Sequence, residues 1–333
     1  MRTLVLGGSS FVGGRLVEHL LRDGAEVTLL NRGRTAPPPG VGLLVADRKD
    51  PAAMRSALEG TGWDAVYDVS GFVMAAGGSS FEDLVRLLEG RTGRYVFVSS
   101  VMAYRPTGFF PWTEDQACRD EPATTYGGFK VHAERVLLAA ARERGFPSTV
   151  GRPAAIYGPT NNIYDMETAM FTRLRRGLPV LVPHQGLVAT SYGHVDELCA
   201  GLLTLGRHPA AVGEVFNLSG DGVTAAQYVA TAAEVVGVEP DVLHVPDDVL
   251  PGLAKLPFSH LFAARHHGIV STEKARRLLD LPAERDFRTG MAETYEWFSA
   301  SPLAGTGTAM SDPLWGAGFD LAHEADVATG LRG

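Results

Sequence analysis

The order of apolar and polar positions predicts short strands and amphipathic helices that alternate through the first half of the chain. Residues 4–6 form an apolar run that ends at Gly7, which is typical of a strand buried on both faces. Apolar residues then recur at positions 12, 16 and 20 along one face of a helix that Gly24 ends. A strand, a glycine-rich turn and a helix therefore open the chain.

The same alternation continues to about residue 160. Further strands are predicted at 25–31, 41–47, 63–71 and 93–100, and helices at 51–60, 81–90 and 124–145. Such an order forms a parallel sheet with right-handed crossovers, which binds ligands outside the carboxyl ends of its strands. The predicted fold class is therefore α/β, a Rossmann-type doubly wound parallel sheet with a smaller C-terminal substrate lobe.

The pattern changes after about residue 160, where prolines and irregular segments become more frequent. We expect residues 1–160 to form a dinucleotide-binding Rossmann domain and residues 161–333 to form mainly the substrate-binding lobe. The segment VGEVFNLSG (212–220) again has the pattern of a strand, so we expect part of the chain near 186–220 to return to the first sheet.

Composition and charge narrow the classes of partner. The chain has 333 residues, 45% of them hydrophobic and 20% charged, which is typical of a globular protein. Its formal net charge of -8 disfavours nucleic acid, because phosphate binding draws on a basic surface. No apolar run is long enough for a membrane span, and the two cysteines, Cys118 and Cys199, lack metal-ligand spacing. We expect a cytoplasmic protein without a metal site, a nucleic-acid partner or membrane association.

The segment GGSSFVGG (7–14) has the form of a dinucleotide-binding turn. In such a turn one glycine allows the tight bend, one lets a pyrophosphate approach the backbone, and one lets the helix pack on the strand. Gly7 and Gly13 occupy the first and last positions, whereas Ser10 replaces the middle glycine and offers a hydroxyl to a phosphate oxygen. The helix N-terminus still presents unpaired N–H groups to an anion.

The end of the second strand bears on the choice between NADP and NAD. An acidic residue there would bind the 2'-hydroxyl of NAD, but the strand ends Asn31-Arg32-Gly33-Arg34. Arginines pair with a 2'-phosphate, so NADP is favoured, unless these are simply exposed loop charges. Asp47 is placed to reach the adenine amino group or to stabilise a turn. The residues expected to contact the cofactor are Gly7, Ser9, Ser10, Phe11, Val12, Gly13, Asn31, Arg32, Arg34, Asp47, Arg48, Ser70, Tyr126 and Lys130.

Three residues point to proton transfer coupled to hydride transfer. Tyr126 and Lys130 lie four apart in the predicted helix 124–145 and share a face, and Ser100 ends the predicted strand 93–100. A phenol beside an ammonium loses its proton more easily, so Tyr126 can exchange a proton with a substrate oxygen that Ser100 also binds. The predicted catalytic residues are Ser100, Tyr126 and Lys130; the alternative is an amphipathic helix with a tyrosine at the core boundary.

These motifs resemble those of the extended short-chain dehydrogenases/reductases, of the NAD-dependent epimerase/dehydratase family. The resemblance runs from Met1 to about Pro302 and rests on GGSSFVG, VFVSSVMAY, YGGFK, RPAAIYGP, YGHVDEL and STEKARRLLDLPAERDFRTGMAETYEWF. The GG-x-x-x-x-G loop followed by NRGRT is more like an atypical branch that contains plant chloroplast stem-loop-binding proteins. The resemblance implies a homodimer formed through the helix of Tyr126, and a structural role for His194 and Asp196.

The chain departs from the family pattern at sites that bear on the reaction. Val101 and Met102 stand where the 4,6-dehydratases have an Asp-Glu pair, which argues against sugar 4,6-dehydration. Ala155 and Thr190 replace an asparagine and an arginine that serve the substrate diphosphate in nucleotide-sugar epimerases. The candidates to replace that arginine are Arg173, Arg175 and Arg176, and the candidates for other substrate contacts are Met102, Asn161 and Asn162.

The sequence therefore predicts NAD(P)-dependent hydride transfer at a secondary alcohol or ketone carbon. We expect an epimerase or reductase that acts on a sugar or nucleotide-sugar-like small molecule. One alternative is an NADPH-dependent ketoreductase of a non-nucleotide small molecule, which Ala155 and Thr190 favour. The other is a non-catalytic RNA-binding protein on the same fold, against which the Ser-Tyr-Lys set and the acidic charge argue.

Overall fold

The structure is a computed structural model of the 333-residue chain. It describes residues 1–76, 80–161, 166–218, 220–250, 266–281, 285–306 and 321–333. The strands are β1 (Arg2–Leu6), β2 (Glu26–Asn31), β3 (Gly42–Val45), β4 (Ala65–Asp68), β5 (Tyr95–Val98), β6 (Ser148–Pro153), β7 (Ala155–Tyr157), β8 (Val180–Pro183), β9 (Ala189–His194), β10 (Val215–Leu218), β11 (Gly222–Thr224) and β12 (Val242–Val245).

Helices cover both faces of the sheet and form much of the described C-terminal half. In the described ranges they are α1 (Phe11–Arg22), α2 (Pro51–Leu58), α3 (Phe81–Leu88), α4 (Tyr126–Arg144), α5 (Glu167–Arg176), α6 (Val195–Arg207), α7 (Ala225–Val236), α8 (Glu273–Leu279), α9 (Phe287–Ala300), α10 (Leu303–Thr306) and α11 (Leu321–Arg332). Short 3-10 helices span Gly71–Ala76, Val101–Ala103 and Pro209–Ala211. Across these ranges, no helix combines the length and the apolar composition that a membrane span requires.

A seven-stranded parallel sheet lies at the centre, in the order β10-β6-β5-β4-β1-β2-β3. Most positions in its strands are apolar, as expected for a parallel sheet that helices cover on both faces. On β1, Leu4 and Leu6 pack into one core with α2, α3 and α4, and Val5 packs into another with α1, α6 and α8. This arrangement confirms the predicted α/β class with a doubly wound parallel sheet.

The sheet order brings segments that are distant in sequence together at the carboxyl ends of the central strands. β1 lies between β2 and β4, so the turn after β1 adjoins the carboxyl end of β4. β5 lies between β4 and β6, and β10 joins the sheet beside β6, with Val215 opposite Val150. The carboxyl ends of β1, β4 and β5 are therefore neighbours.

The C-terminal half adds two smaller sheets. One has the order β11-β9-β7, in which β11 is antiparallel and β7 is parallel to β9, and the other pairs β12 with β8 in parallel. Helices α5, α7 and α9 pack over an aromatic-rich core that includes Tyr157, Phe171, Tyr228 and Phe298. All these elements follow β6 in sequence. β10 also follows β6, but it belongs to the main sheet.

Candidate active site

The turn between β1 and α1 depends on two glycines. Gly7 has a φ of +98°, and a Cβ there would lie 2.5 Å from the Cβ of Ser70. A Cβ on Gly13 would lie 2.0 Å from the carbonyl oxygen of Gly7, so any side chain would push α1 away from β1. These contacts match the turn and packing tasks expected of the two glycines, and they place Ser70, at the end of β4, against the turn.

The serines of the turn are exposed. Ser10 is the N-cap residue of α1, but its hydroxyl makes no capping hydrogen bond, which leaves that hydroxyl available. The Ser9 hydroxyl accepts a hydrogen bond from the side-chain NH2 of Asn31 at 3.1 Å, and the side-chain oxygen Oδ1 of Asn31 accepts one from Gly33 N at 2.7 Å. Asn31 therefore ties the turn to the loop after β2, where Arg32 and Arg34 are exposed.

The other expected cofactor contacts have different environments. Phe11 and Val12 begin α1 and are half-buried, and Asp47 is exposed, with its carboxylate accepting from Lys49 N at 2.9 Å. Arg48 is buried, and its guanidinium donates to both carboxylate oxygens of Asp68 at 2.6 and 2.7 Å.

Arg48 is linked through Ser70 to the turn between β1 and α1, which is the predicted nucleotide-binding turn (the nucleotide turn below). Its Nη1 also donates to the Ser70 hydroxyl at 2.9 Å, and Tyr95 donates to Asp68 at 2.7 Å. Burial raises the pKa of Tyr95 well above its ordinary value, so this tyrosine stays a hydrogen-bond donor. The guanidinium of Arg48 thus braces Ser70, which in turn lies on Gly7.

The candidate catalytic residues lie on two neighbouring elements. Tyr126 is the first residue of α4, and Lys130 lies one turn later with its Nζ 5.3 Å from the centre of the Tyr126 ring. The Lys130 side chain is 3% exposed and donates to the Val98 carbonyl oxygen, at the end of β5, at 2.7 Å. Ser100 follows two residues later, is 8% exposed, and accepts from Met102 N at 3.1 Å.

Two glycines inside α4 allow this approach. A Cβ on Gly127 would lie 2.6 Å from the Met102 carbonyl oxygen, and one on Gly128 would lie 2.1 Å from the Pro122 carbonyl oxygen. The first turn of α4 therefore packs directly on the backbone just after Ser100, through Gly127, and on the segment that precedes α4, through Gly128. Glycine is a poor helix former, so two consecutive glycines in a predicted helix indicate that another segment packs closely there. The spacing of Tyr126 and Lys130 alone did not predict this contact.

Phe72 is a site residue that sequence reasoning missed. Its ring packs edge-on against Tyr126 with 5.0 Å between the ring centres, and it also contacts Phe129. Phe72 lies in the 3-10 helix that follows Ser70, so residues 70–72 touch both the nucleotide turn and Tyr126. The structure thus brings the predicted nucleotide turn and the predicted catalytic helix to the same edge of the sheet.

The candidate substrate residues differ in their exposure to solvent. Met102 is 47% exposed beside the Tyr126 helix. Asn161 is buried, and its amide donates to the Glu167 carboxylate at 2.7 Å, while the Tyr228 hydroxyl lies 3.2 Å from the other Glu167 oxygen. Burial raises the pKa of Glu167 to about 7, although the hydrogen bonds from Asn161 and Tyr228 act in the opposite direction. Asn162 lies outside the described residues.

Arg173 is not available to a phosphate. Its side chain is fully buried in α5, where it donates to both oxygens of Glu324 at 2.8 and 2.5 Å. Arg175 and Arg176 are exposed at the end of the same helix. Thr190, which the resemblance aligns with an arginine, lies in β9 and pairs with Gly268 through a β-bridge. Arg173 therefore cannot replace the missing arginine.

His194 and Asp196 hold elements together. His194 is the N-cap of α6 and accepts from Asp196 N at 3.3 Å; burial lowers the pKa of His194 to about 4, so it is neutral at pH 7. The Asp196 carboxylate binds Arg15 at 2.5 Å and lies 2.9 Å from His19 Nε2, both on α1. Burial raises the pKa of Asp196, but these two partners outweigh it and hold that pKa below its usual range.

A cavity of about 480 Å³ is lined by none of the predicted cofactor-binding residues. It is enclosed by α6, β10 and α8, and its lining includes Asn217, Thr272, Arg276 and Arg285 but none of the three candidate catalytic residues. In the described part of the chain, no group of three His, Cys, Asp or Glu side chains is placed to hold a metal ion.

Comparison with known proteins gives consistent matches. Residues 3–219 match the model of the NAD dependent epimerase/dehydratase family. The chain is 30% identical to chloroplast stem-loop binding protein of 41 kDa b from Arabidopsis thaliana, over 88% of this chain and 78% of that protein. It is 26% identical to a UDP-glucose 4-epimerase from Corynebacterium glutamicum, over 90% of this chain and 96% of that protein. The crystal structure of dTDP-glucose 4,6-dehydratase from Bacillus anthracis in complex with NAD superposes with a TM-score of 0.75 at 18% identity, covering 91% of this chain and 97% of that one.

Proposed function

Because the chain belongs to the NAD-dependent epimerase/dehydratase family, we propose that it catalyses hydride transfer at a secondary alcohol or ketone carbon, with Tyr126 as the proton-exchanging residue. The substrate class that we propose is a sugar or a nucleotide-sugar-like molecule, epimerised or reduced. The observation that carries the proposal is the buried Lys130 ammonium beside the Tyr126 ring, on the sheet edge that also holds the nucleotide turn.

The turn after β1 fits a dinucleotide. Gly7 and Gly13 leave no room for side chains, and the first turn of α1 presents backbone N–H groups that suit a pyrophosphate. Ser9, Ser10, Phe11 and Val12 would line the pyrophosphate, and Ser70 would lie beside it. Arg48 would act through Ser70, because its own guanidinium is occupied by Asp68.

NADP is the cofactor that we propose over NAD. Arg32 and Arg34 are exposed in the loop after β2, and Asn31 ties that loop to the nucleotide turn through Ser9. A 2'-phosphate would pair with either guanidinium. Asp47, also exposed, would face the adenine side of the site.

The chemistry of this chain's residues is proton exchange and orientation. When bound, the nicotinamide accepts or supplies the hydride. The Tyr126 hydroxyl gives a proton to the substrate oxygen during reduction and takes one during oxidation. The Lys130 ammonium stabilises the phenolate, and the Ser100 hydroxyl donates a hydrogen bond to the same substrate oxygen.

A second candidate function is reduction of a ketone that carries no nucleotide. Thr190 offers no cation where the family's arginine would bind a diphosphate, and Arg173 is committed to Glu324. Loss of a bidentate cation weakens phosphate binding by about 2 kcal/mol. In either case, we propose that the smaller sheets and helices α5, α7 and α9 supply the substrate side of the site.

The first test combines cofactor identification with one substitution. Purified protein is denatured and the released cofactor is identified by mass spectrometry; tightly held cofactor supports epimerisation, and an exchangeable one supports reduction. Turnover of Tyr126→Phe is then measured with UDP-sugars and simple ketones. We expect a fall of about 10²- to 10⁴-fold with cofactor affinity nearly unchanged.

Tyr67→Phe is the matched control, because that ring packs in the core that α1 and α6 cover, on the face of the main sheet opposite α4. It should keep full activity. An active Tyr126→Phe protein would contradict the assigned role. Salt-dependent binding of RNA by a protein that binds no nicotinamide would support the RNA-binding alternative instead.

A further inference from the structure

The face of α4 that carries Tyr126 and Lys130 continues to a third ionisable residue. Glu134 lies one turn after Lys130, is 3% exposed, and accepts a hydrogen bond from the Ser99 hydroxyl. A carboxylate four residues from a lysine is its ordinary ion-pair partner on a helix. Among the described residues, however, no ion pair joins Lys130 to a carboxylate.

The Glu134 carboxylate instead forms an ion pair with Arg152 of β6. Its Nε donates to one oxygen of Glu134 at 3.0 Å and its Nη2 to the other at 2.5 Å. Both side chains are almost fully buried, so the pair is protected from water and salt. A bidentate guanidinium satisfies both carboxylate oxygens in one plane, which a lysine cannot do.

The guanidinium of Arg152 is itself held from other sides. It lies 4.6 Å from the centre of the Tyr104 ring, and Nη2 lies 3.4 Å from the Cys118 sulfur. Tyr104 is fixed in turn by a 2.6 Å hydrogen bond to the Asn217 side chain at the end of β10. Arg152 is therefore anchored independently of Glu134.

From this geometry we infer that Arg152 is a positioning residue that holds Glu134 away from Lys130, so that the Lys130 ammonium remains uncompensated beside Tyr126. Without Arg152, the Glu134 carboxylate would lose its counter-ion in a buried site, and Lys130, one turn earlier on the same face of α4, would have the spacing of an ion-pair partner. A Lys130–Glu134 pair would neutralise the charge that stabilises the Tyr126 phenolate. The inference rests on the proposed role of Tyr126.

The test measures phenolate at Tyr126 in the full chain without a substrate. Ultraviolet absorbance of phenolate is recorded at mildly alkaline pH for each protein and for its Tyr126→Phe counterpart, and the difference reports Tyr126 alone. We expect about tenfold less phenolate in Arg152→Met, because an opposite charge shifts such an equilibrium by at least that factor. Arg152→Lys, which keeps the cation, should retain most of the signal.

Glu134→Gln and the double variant distinguish positioning from simple support of the fold. Glu134→Gln removes the competing carboxylate, so its phenolate signal should equal or exceed that of the unchanged protein. The double variant Glu134→Gln/Arg152→Met should recover the signal that Arg152→Met loses. A lower phenolate signal in Glu134→Gln, or no recovery of the signal in the double variant, would overturn the inference. The Glu134→Gln measurement can be made even if Arg152→Met does not fold.

The outcomes also separate this inference from the proposed function. If the unchanged protein shows no phenolate that Tyr126→Phe removes, the proposed role of Tyr126 fails. If Tyr126 forms phenolate but Arg152→Met leaves it unchanged, only the role of Arg152 fails. Circular dichroism of every variant checks that the fold is retained.

Discussion

At the residue scale, the turn after β1 requires a residue without a side chain at position 13. A Cβ on Gly13 would meet the Gly7 carbonyl oxygen at 2.0 Å, and a backbone atom cannot move aside cheaply. We expect Gly13→Ala to weaken cofactor binding at least about tenfold and to cost about 1–3 kcal/mol of stability. Cofactor titration and denaturant unfolding measure the two effects.

Gly14→Ala is the matched control for that substitution. A Cβ on Gly14 meets nothing within 4 Å, although the residue lies in the same turn of α1. Alanine is the better helix former by up to about 1 kcal/mol, so this variant should be slightly stabilised and should bind cofactor normally. Equal losses in both variants would contradict the steric explanation.

Arg32 and Arg34 allow a test of cofactor preference. Both are exposed and follow the strand that Asn31 ends. We expect Arg32→Ala/Arg34→Ala to weaken NADPH binding about tenfold while NADH binding changes little, since only NADPH carries the 2'-phosphate. The loss should shrink at high salt, which screens exposed charges.

Arg55→Ala serves as the control for that pair, because Arg55 is an exposed arginine on α2. It should bind both cofactors as the unchanged protein does. If NADPH and NADH lose affinity equally in the double variant, the proposed preference for NADP is wrong.

At the scale of elements, α11 is joined to α5 by one buried ion pair. Arg173 and Glu324 form two hydrogen bonds, at 2.8 and 2.5 Å, across 151 residues of sequence. Removing one partner leaves a buried charge unpaired, so Glu324→Ala should lose about 3–5 kcal/mol of unfolding free energy. Urea unfolding of the full chain measures this loss.

The same helix supplies the control. Arg332 of α11 pairs with Asp241, just before β12, but both side chains are about half exposed. Exposed pairs contribute about 0–1 kcal/mol, so Asp241→Ala should have little effect. A comparable loss in both variants would mean that burial of the Arg173 pair is not what matters.

At the scale of the whole molecule, Glu167 makes stability depend on pH near neutrality. Its pKa is about 7 in the folded chain against a usual 4.5, so the folded state binds the proton more tightly. The resulting stability is complete below pH 4.5 and is lost as the pH rises through 7. This buried carboxyl therefore opposes folding under alkaline conditions.

Glu167→Gln removes that dependence and keeps a side-chain oxygen that accepts from the Asn161 amide, although its NH2 group replaces the oxygen to which Tyr228 donates. Relative to the unchanged protein, this variant should gain stability as the pH rises from about 4.5 to 7, by up to about 3 kcal/mol. Thermal melts across that interval measure the gain. Glu239→Gln, at an exposed position, should show none, and a pH-independent difference for Glu167→Gln would contradict the linkage.

Local patterns in the sequence determined most elements of the first half of the chain, the fold class and the family. The apolar run of β1, the glycine turn and the four-residue spacing of Tyr126 and Lys130 depend on neighbours along the chain, so they are readable without a structure. The parallel direction of the main-sheet strands follows from the same alternation. The roles of the site residues remain predictions that the proposed experiments test.

Only the tertiary structure decided which buried charges meet. Arg48 pairs with Asp68, Arg152 with Glu134 and Arg173 with Glu324, and no local spacing predicts these partners. Desolvation requires that each buried charge find an opposite one, but the partner is whichever group packing brings near from a distant part of the chain. The sequence therefore specifies that an arginine or a carboxylate is present, and the packing of remote segments decides whether it is free to bind a ligand.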